Sequence, residues 1–415
     1  MKFFQLFKRL IAVAPIALAT VLFATSCASA DGTANGAAEQ PARRLKVALY
    51  LDSGSAGNGV FHWIRLISHS PQLELHGVTG EDVRAGKLEG MDVLVMPGGY
   101  SPRQYKSLGE DGAEKVRTFV RSGGSYIGTC AGLACTLNDP KRLKLLPFSR
   151  KPKSGGSTAI ITVDFPESGA KVLDIAPGRY KVRYSGGPIP IPGKAIDGGS
   201  GEVLAVYKNT VSFVNKPEGN FFDEGAVIFG SLGKGKVIAT GFHPEYWEST
   251  HPIVAGCFYA VTGVKPTFEF PRTTPRPIRV GFWSSGFPDA DRTEALLALD
   301  RHPDVDVRIV TSHEFDLGEL RHLDALVVVN DTTGGCKKIL KRKYNREQLT
   351  MFMERGGVVF ASGTGAESIP AHRNLVELPI GADFVKPVLE KLGGFSPEPP
   401  APVSGESPSP CPSGR

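Results

Sequence analysis

Three stretches in the second half of the chain repeat three in the first at a nearly constant spacing. "IRVGFWSSG" (278–286) repeats "LKVALYLDSG", "HLDALVVVN" (322–330) repeats "GMDVLVMPG", and "FMERGGVVFASGTG" (352–365) repeats "FVRSGGSYIGTCAG". Val280 lies 233 positions after Val47, Asp324 lies 232 after Asp92, and Gly363 lies 233 after Cys130. Self-similarity at a fixed offset means that one folding unit occurs twice. The 415 residues suit two domains of ordinary size with tails.

Within the first copy, short apolar runs alternate with amphipathic stretches. "LKVALYL" (45–51) reads as a strand followed by the turn "DSGSAGNG", and "FHWIRLIS" has helical spacing. "LELHGVT" and "MDVLVMPGGY" read as further strands, "GAEKVRTFVRSG" as a helix, and "GSYIGTC" as a fourth strand ending at Cys130. This alternation predicts an α/β fold: a flavodoxin-like parallel sheet flanked by helices, with a second, truncated β/α domain from internal duplication. The second copy carries Gly363 where the first carries Cys130, and Asn330 where the first carries Gly98.

The expected organisation is a signal segment at 1–27, a flexible tether at 28–43, a first domain at 44–265, a Pro-rich linker at 266–277, a degenerate second copy lacking the nucleophile at 278–390, and a disordered Pro/Ser-rich tail at 391–415. The N-terminal segment has a basic start, the apolar run "LIAVAPIALATVLF" and then small residues, which is the pattern of an export signal. The run is short for a membrane-spanning helix, which needs about 20 residues. Two readings of its end stay open. "ATSC" suits lipid attachment at Cys27, and "ASA" (28–30) suits ordinary cleavage. Either places the chain outside the cytosol, in the cell envelope or periplasm. Without Lys2, Lys8 and Arg9 the 48 basic residues fall to 45 against 42 acidic, so no nucleic-acid partner is expected. The basic run "KKILKRK" (337–343) reads as a solvated helix face.

The six cysteines form no C-x-x-C pair, and neither a metal nor a cofactor is expected. Gly128-Thr129-Cys130-Ala131-Gly132 fits a strand-to-helix elbow that holds a nucleophile, with Cys130 the thiolate. The competing reading is a small residue packed at a tight turn. "GFHPEYW" (241–247) offers His243 as base and Glu245 as its orienter, with Pro244 imposing an extended course that puts both on one side. "VMPGGY" (95–100) supplies an oxyanion loop: Gly98 and Gly99, together with Ala131 at the elbow, are the candidate N–H donors. Tyr100, and Tyr184 with Gly186 and Gly187 in "YSGGP", are candidates for contacting substrate; the competing and favoured reading of "YSGGP" is a turn whose tyrosine packs on the sheet.

In the order oxyanion loop, cysteine elbow, His-x-Glu, the chain resembles the class I glutamine amidotransferase-like superfamily. "YIGTCAGLA", "VRYSGGPIP" (182–190) and "GFHPE" resemble most the N-terminal domain of biotin–protein ligases and its bacterial stand-alone relatives. The resemblance covers about residues 44–265. Leu133-Ala134 stands where the superfamily's glutaminases carry a Gln-containing stretch, and no stretch resembles the biotin ligase catalytic domain. The resulting expectation is an exported cysteine-nucleophile amidohydrolase-like protein, acting through Cys130, His243 and Glu245 on an amide or ester of a small-molecule or peptide-like substrate. The alternatives are a non-catalytic envelope ligand-binding protein with a vestigial triad and a thiol-based sensor.

Overall fold

The computed structural model describes residues 43–152, 158–208, 222–271, 277–284, 289–316, 318–331 and 333–392. The signal segment with Cys27, most of the tether, part of the linker and the tail from 393 lie outside the described residues. Among the described residues no helix is long and apolar enough to cross a membrane.

The first domain is built on strands β1 (Leu45–Tyr50), β2 (Leu73–Val78), β3 (Val93–Met96), β4 (Ser125–Thr129), β5 (Phe148–Arg150), β6 (Thr158–Phe165), β7 (Gly178–Ser185), β8 (Pro190–Pro192), β9 (Glu202–Tyr207), β10 (Gly225–Leu232) and β11 (Gly235–Thr240). Nine of them form one sheet in the order β2-β1-β3-β4-β11-β10-β9-β6-β7. The run from β2 to β11 is parallel, and the rest extends it antiparallel. The parallel strands read as near-continuous apolar runs because helices cover both faces, and β3 and β4 are buried at every residue. The antiparallel strands went unread in the sequence, where "VRYSGGPIP" gave no β-α alternation to follow, whereas "GKVIAT" reads as a strand and is β11.

The second domain holds β12 (Ile278–Trp283), β13 (Val305–Val310), β14 (Ala325–Val329), β15 (Val358–Ser362) and β16 (Leu375–Leu378) in one parallel sheet, ordered β13-β12-β14-β15-β16. Its first four strands reproduce the order β2-β1-β3-β4, so the second domain is the truncated copy. One carboxylate does the same work in each. The Lys46 N–H donates to Asp92 Oδ2 at 2.8 Å, and the Arg279 N–H donates to Asp324 Oδ2 at 2.8 Å, pinning the start of the central strand to the next one.

The helix Gly57–Ser68 lies between the domains, which explains why it is apolar nearly all round: Val60, Phe61, Trp63, Ile64, Leu66 and Ile67 are all buried. Phe61 packs edge-on against Phe282 of β12, with ring centroids 5.6 Å apart, and the Arg292 guanidinium sits 5.2 Å from the Phe61 ring centre. At the end of this helix Arg65 donates twice to Asp300, at 2.9 and 2.7 Å, and His69 Nε2 meets the same carboxylate at 2.8 Å. Asp300 closes the helix Ala290–Asp300 of the second domain.

Candidate functional site

Cys130 stands between β4 and the short helix Ala131–Thr136. Its backbone takes φ 51°, ψ −100°, a conformation that L residues other than glycine rarely adopt. Such strain persists only where the surroundings over-determine it. Here the Cys130 N–H donates to the Thr240 carbonyl of β11 at 2.8 Å, and the flanking glycines let strand and helix close up. A Cβ on Gly128 would come within 2.7 Å of the Gly132 carbonyl carbon, and one on Gly132 would overlap the Met96 carbonyl oxygen. The Cys130 thiol is almost fully buried and lies 3.6 Å from the Ser185 carbonyl oxygen.

His243 follows β11, whose end lies beside the end of β4, so the sheet itself brings it to Cys130. Its N–H donates to the Arg183 carbonyl at 2.8 Å, and its ring nitrogen Nδ1 meets Glu245 Oε1 at 2.8 Å. The sequence placed Glu245 on an extended segment. The structure instead puts Pro244–Tyr246 in a 3-10 turn, which curls the carboxylate back under the ring. Glu245 is completely buried and its Oε2 has no hydrogen-bond partner.

Burial alone would push the His243 pKa down, but the charges of Glu245 and Cys130 and the hydrogen bond to Glu245 outweigh it, raising it to about 9. A histidine whose folded pKa is raised stabilises the fold fully below its unfolded value of about 6.5, and that contribution is lost as pH climbs through the folded value. The thermal midpoint is therefore expected to fall between about pH 6.5 and pH 9. The same scan on Glu245→Gln should show a shallower fall, since the charge that holds the proton is gone.

The loop after β3 lies beside His243. Gly98 lies against the imidazole, so that a Cβ there would run into His243 Cε1. Gly99 has φ 144°, forms a bridge with Ser55, and sits so close to the Gly54 carbonyl that only a residue without a side chain fits. The Tyr100 N–H donates to Gly54 O and the Ala56 N–H to Gly98 O, so this loop is tied to the one after β1. Ala131 begins the helix behind the thiol.

Of the four residues offered as substrate contacts, three lie in and after β7 and one is exposed on the surface. Tyr184 is on β7, fully buried, with its hydroxyl donating to the Gly187 carbonyl at 2.6 Å and its ring edge-on to Tyr207. It packs on the sheet because β7 extends to Ser185, so "YSGGP" begins as strand and not as loop. Gly187 is there for close approach to the backbone of Gly241, and Gly186 makes the turn after β7 with φ 71°. Tyr100 is 60% exposed at the start of the helix Ser101–Arg121, with Arg103 over its ring.

Arg183 was passed over in the sequence, although it neighbours the quoted tyrosine. It is buried, lies 4.2 Å from the ring centre of Tyr246, and reaches Glu314 of the second domain at 3.8 Å. Sequence pattern could not find it, because its neighbours come from β7, the 3-10 turn and the other domain.

The family model described as "Biotin-protein ligase, N terminal" matches residues 46–135 and 148–255. A biotin–protein ligase of Schizosaccharomyces pombe is 27% identical over 186 residues, covering 39% of this chain and 27% of that protein, so the chain spans about a quarter of the curated relative's length. Among solved structures, a glutamine amidotransferase is 22% identical with a TM-score of 0.35, covering 52% of this chain and 99% of that one. PurLQS from Thermotoga maritima is 11% identical with a TM-score of 0.38, covering 52% and 98%.

These matches overturn the expected amidohydrolase: over the residues that carry Cys130, His243 and Glu245, the likeness is to biotin–protein ligases and not to a cysteine hydrolase. The elbow and the His-x-Glu pair are features of a scaffold, and a scaffold does not fix the reaction it hosts. The envelope-binding alternative assumed an inactivated hydrolase and is withdrawn with it. Over residues 46–135 and 148–255 the chain is similar to the biotin–protein ligase N-terminal domain.

Proposed function

We propose that the chain is a biotin–protein ligase-like protein whose first domain recognises biotin or a biotin-bearing acyl group. The observation that carries this reading is the family match across 46–135 and 148–255, since those residues build the Cys130–His243 site. A buried imidazole with a raised pKa is a cationic donor, and a carboxylate or acyl oxygen is its natural acceptor. The basic start and apolar run of residues 1–30 support an exported protein.

Isothermal titration of the full chain with biotin and with a biotinylated peptide tests the reading. Saturable binding of at least one is expected, weakened about tenfold or more in His243→Gln, the effect of losing a hydrogen bond to a charged group. Absence of binding by both ligands at millimolar concentration, or equal binding by the variant, would refute it.

A further inference from the structure

A cleft of about 760 Å³ separates the two domains, and its walls are basic from both sides. The first domain contributes Arg103 and Arg183, and the second contributes Lys338 and Arg342. Among the described lining residues there is no carboxylate. Glu314 and Asp316 lie close by, the first 3.8 Å from Arg183 and the second 3.0 Å from Arg342, and they offset two of the four charges. Among the described residues no ion pair appears for Lys338 or Arg103, and the Arg103 guanidinium lies 5.9 Å from the Tyr100 ring centre.

Two buried polar atoms of the cleft residues lack partners. Arg183 Nε and Ser284 Oγ have none, and both residues are at least nine-tenths buried. Buried polar groups are nearly always hydrogen-bonded, so an unmet donor in a concave site asks for an acceptor from outside the chain. Both can donate, and the four cations set the sign of what would answer them.

We infer that this interdomain cleft binds a small multivalent anion bearing phosphate or carboxylate groups, clamped between Arg103 and Arg183 on one side and Ser284, Lys338 and Arg342 on the other. The volume is that of a small-molecule site. A concave pocket with four cations favours a compact anion over a nucleic acid, whose binding takes a basic surface tracking many phosphates. Part of "KKILKRK", which the sequence suggested was only a solvated face, thereby faces the first domain. The inference goes beyond the biotin reading and does not depend on it.

Titration of the full chain with pyrophosphate and, separately, with citrate tests the inference, read by calorimetry and by the shift in thermal midpoint. At least one is expected to bind saturably and to raise the midpoint. Tighter pyrophosphate binding would identify a phosphorylated ligand, and tighter citrate binding a polycarboxylate. Lys338→Glu, an exposed change that should leave folding intact, is expected to weaken binding about tenfold or more, and Ser284→Ala to weaken it less. Cys130→Ser should bind the anion as the parent does, which separates this cleft from the Cys130–His243 site. No saturable binding by either anion, or full-strength binding by both Lys338→Glu and Arg103→Glu, would overturn the proposal.

Discussion

Asp300→Ala is expected to destabilise the chain by about 4 kcal/mol, the cost of removing one partner from a buried ion pair. The Asp300 side chain is 3% exposed and that of Arg65 11%. Truncation leaves the guanidinium buried against Phe270, whose ring centre is 5.1 Å away, and strips His69 Nε2 of its acceptor. Because these residues join the helix Gly57–Ser68 to the second domain, the loss should also loosen the domains from each other. Faster trypsin cleavage between 265 and 277 would report that loosening, beside a lower urea midpoint. The pH dependence provides a second check. Burial by itself would raise the Asp300 carboxyl, but the Arg65 charge and the hydrogen bonds from His69 and Arg65 outweigh it and hold it below the ordinary range. A depressed carboxyl contributes stability above its unfolded value of about 3.9, and the contribution disappears as pH falls through the folded value. The gap between parent and variant should therefore hold steady near neutrality and shrink below about pH 4. An equal gap at pH 3, or unchanged cleavage, would mean that this cluster does not hold the interface.

What the sequence showed of the site was what lies along the chain; what it hid was what crosses between elements. The elbow was readable because Gly128 and Gly132 bracket Cys130 within five residues, and the second copy makes the case stronger. Gly363 takes φ 52° at the position equivalent to Cys130 at 51°. A positive φ therefore occurs at this position in both copies, on glycine in one and on cysteine in the other. Cysteine is kept in the first copy against a backbone cost that glycine avoids. His243 and Glu245 were found as a pair for a partly mistaken reason, since proline starts a 3-10 turn as readily as it extends a chain. For Tyr184 the sequence left two readings, since a strand end and a loop start look alike in "YSGGP", and the one in which the tyrosine packs on the sheet matches the structure. Arg183, Asp300 and the basic cleft involve partners more than a hundred residues away, which no local spacing encodes. The parallel half of the sheet follows from β-α alternation, whereas β6, β7, β9 and β10 pair antiparallel with no such rhythm.

Gly132→Ala is expected to cost about 3 kcal/mol, the upper range for forcing a methyl into a packed interior. The obstacle is backbone, not a side chain that could swing away: the added Cβ would overlap the Met96 carbonyl oxygen and lie 3.0 Å from the carbonyl carbon. On its other side the Gly132 carbonyl accepts from the buried Tyr126 hydroxyl at 2.8 Å, so the helix cannot slide without losing that bond. Met96 ends β3 immediately before Pro97, Gly98 and Gly99. Relief of the overlap must therefore separate the oxyanion-type loop from the cysteine elbow. Gly86→Ala provides the comparison, because Gly86 has φ +86° with no atom within 4 Å of the added Cβ, and should cost only about 1–2 kcal/mol of backbone strain. Urea unfolding of both variants separates steric from conformational cost. If the two lose equal stability, close approach of helix and strand is not what glycine secures at 132. If Gly132→Ala alone also flattens the pH 6.5–9 stability loss assigned to His243, then the same contact that packs the elbow also sets the imidazole's environment.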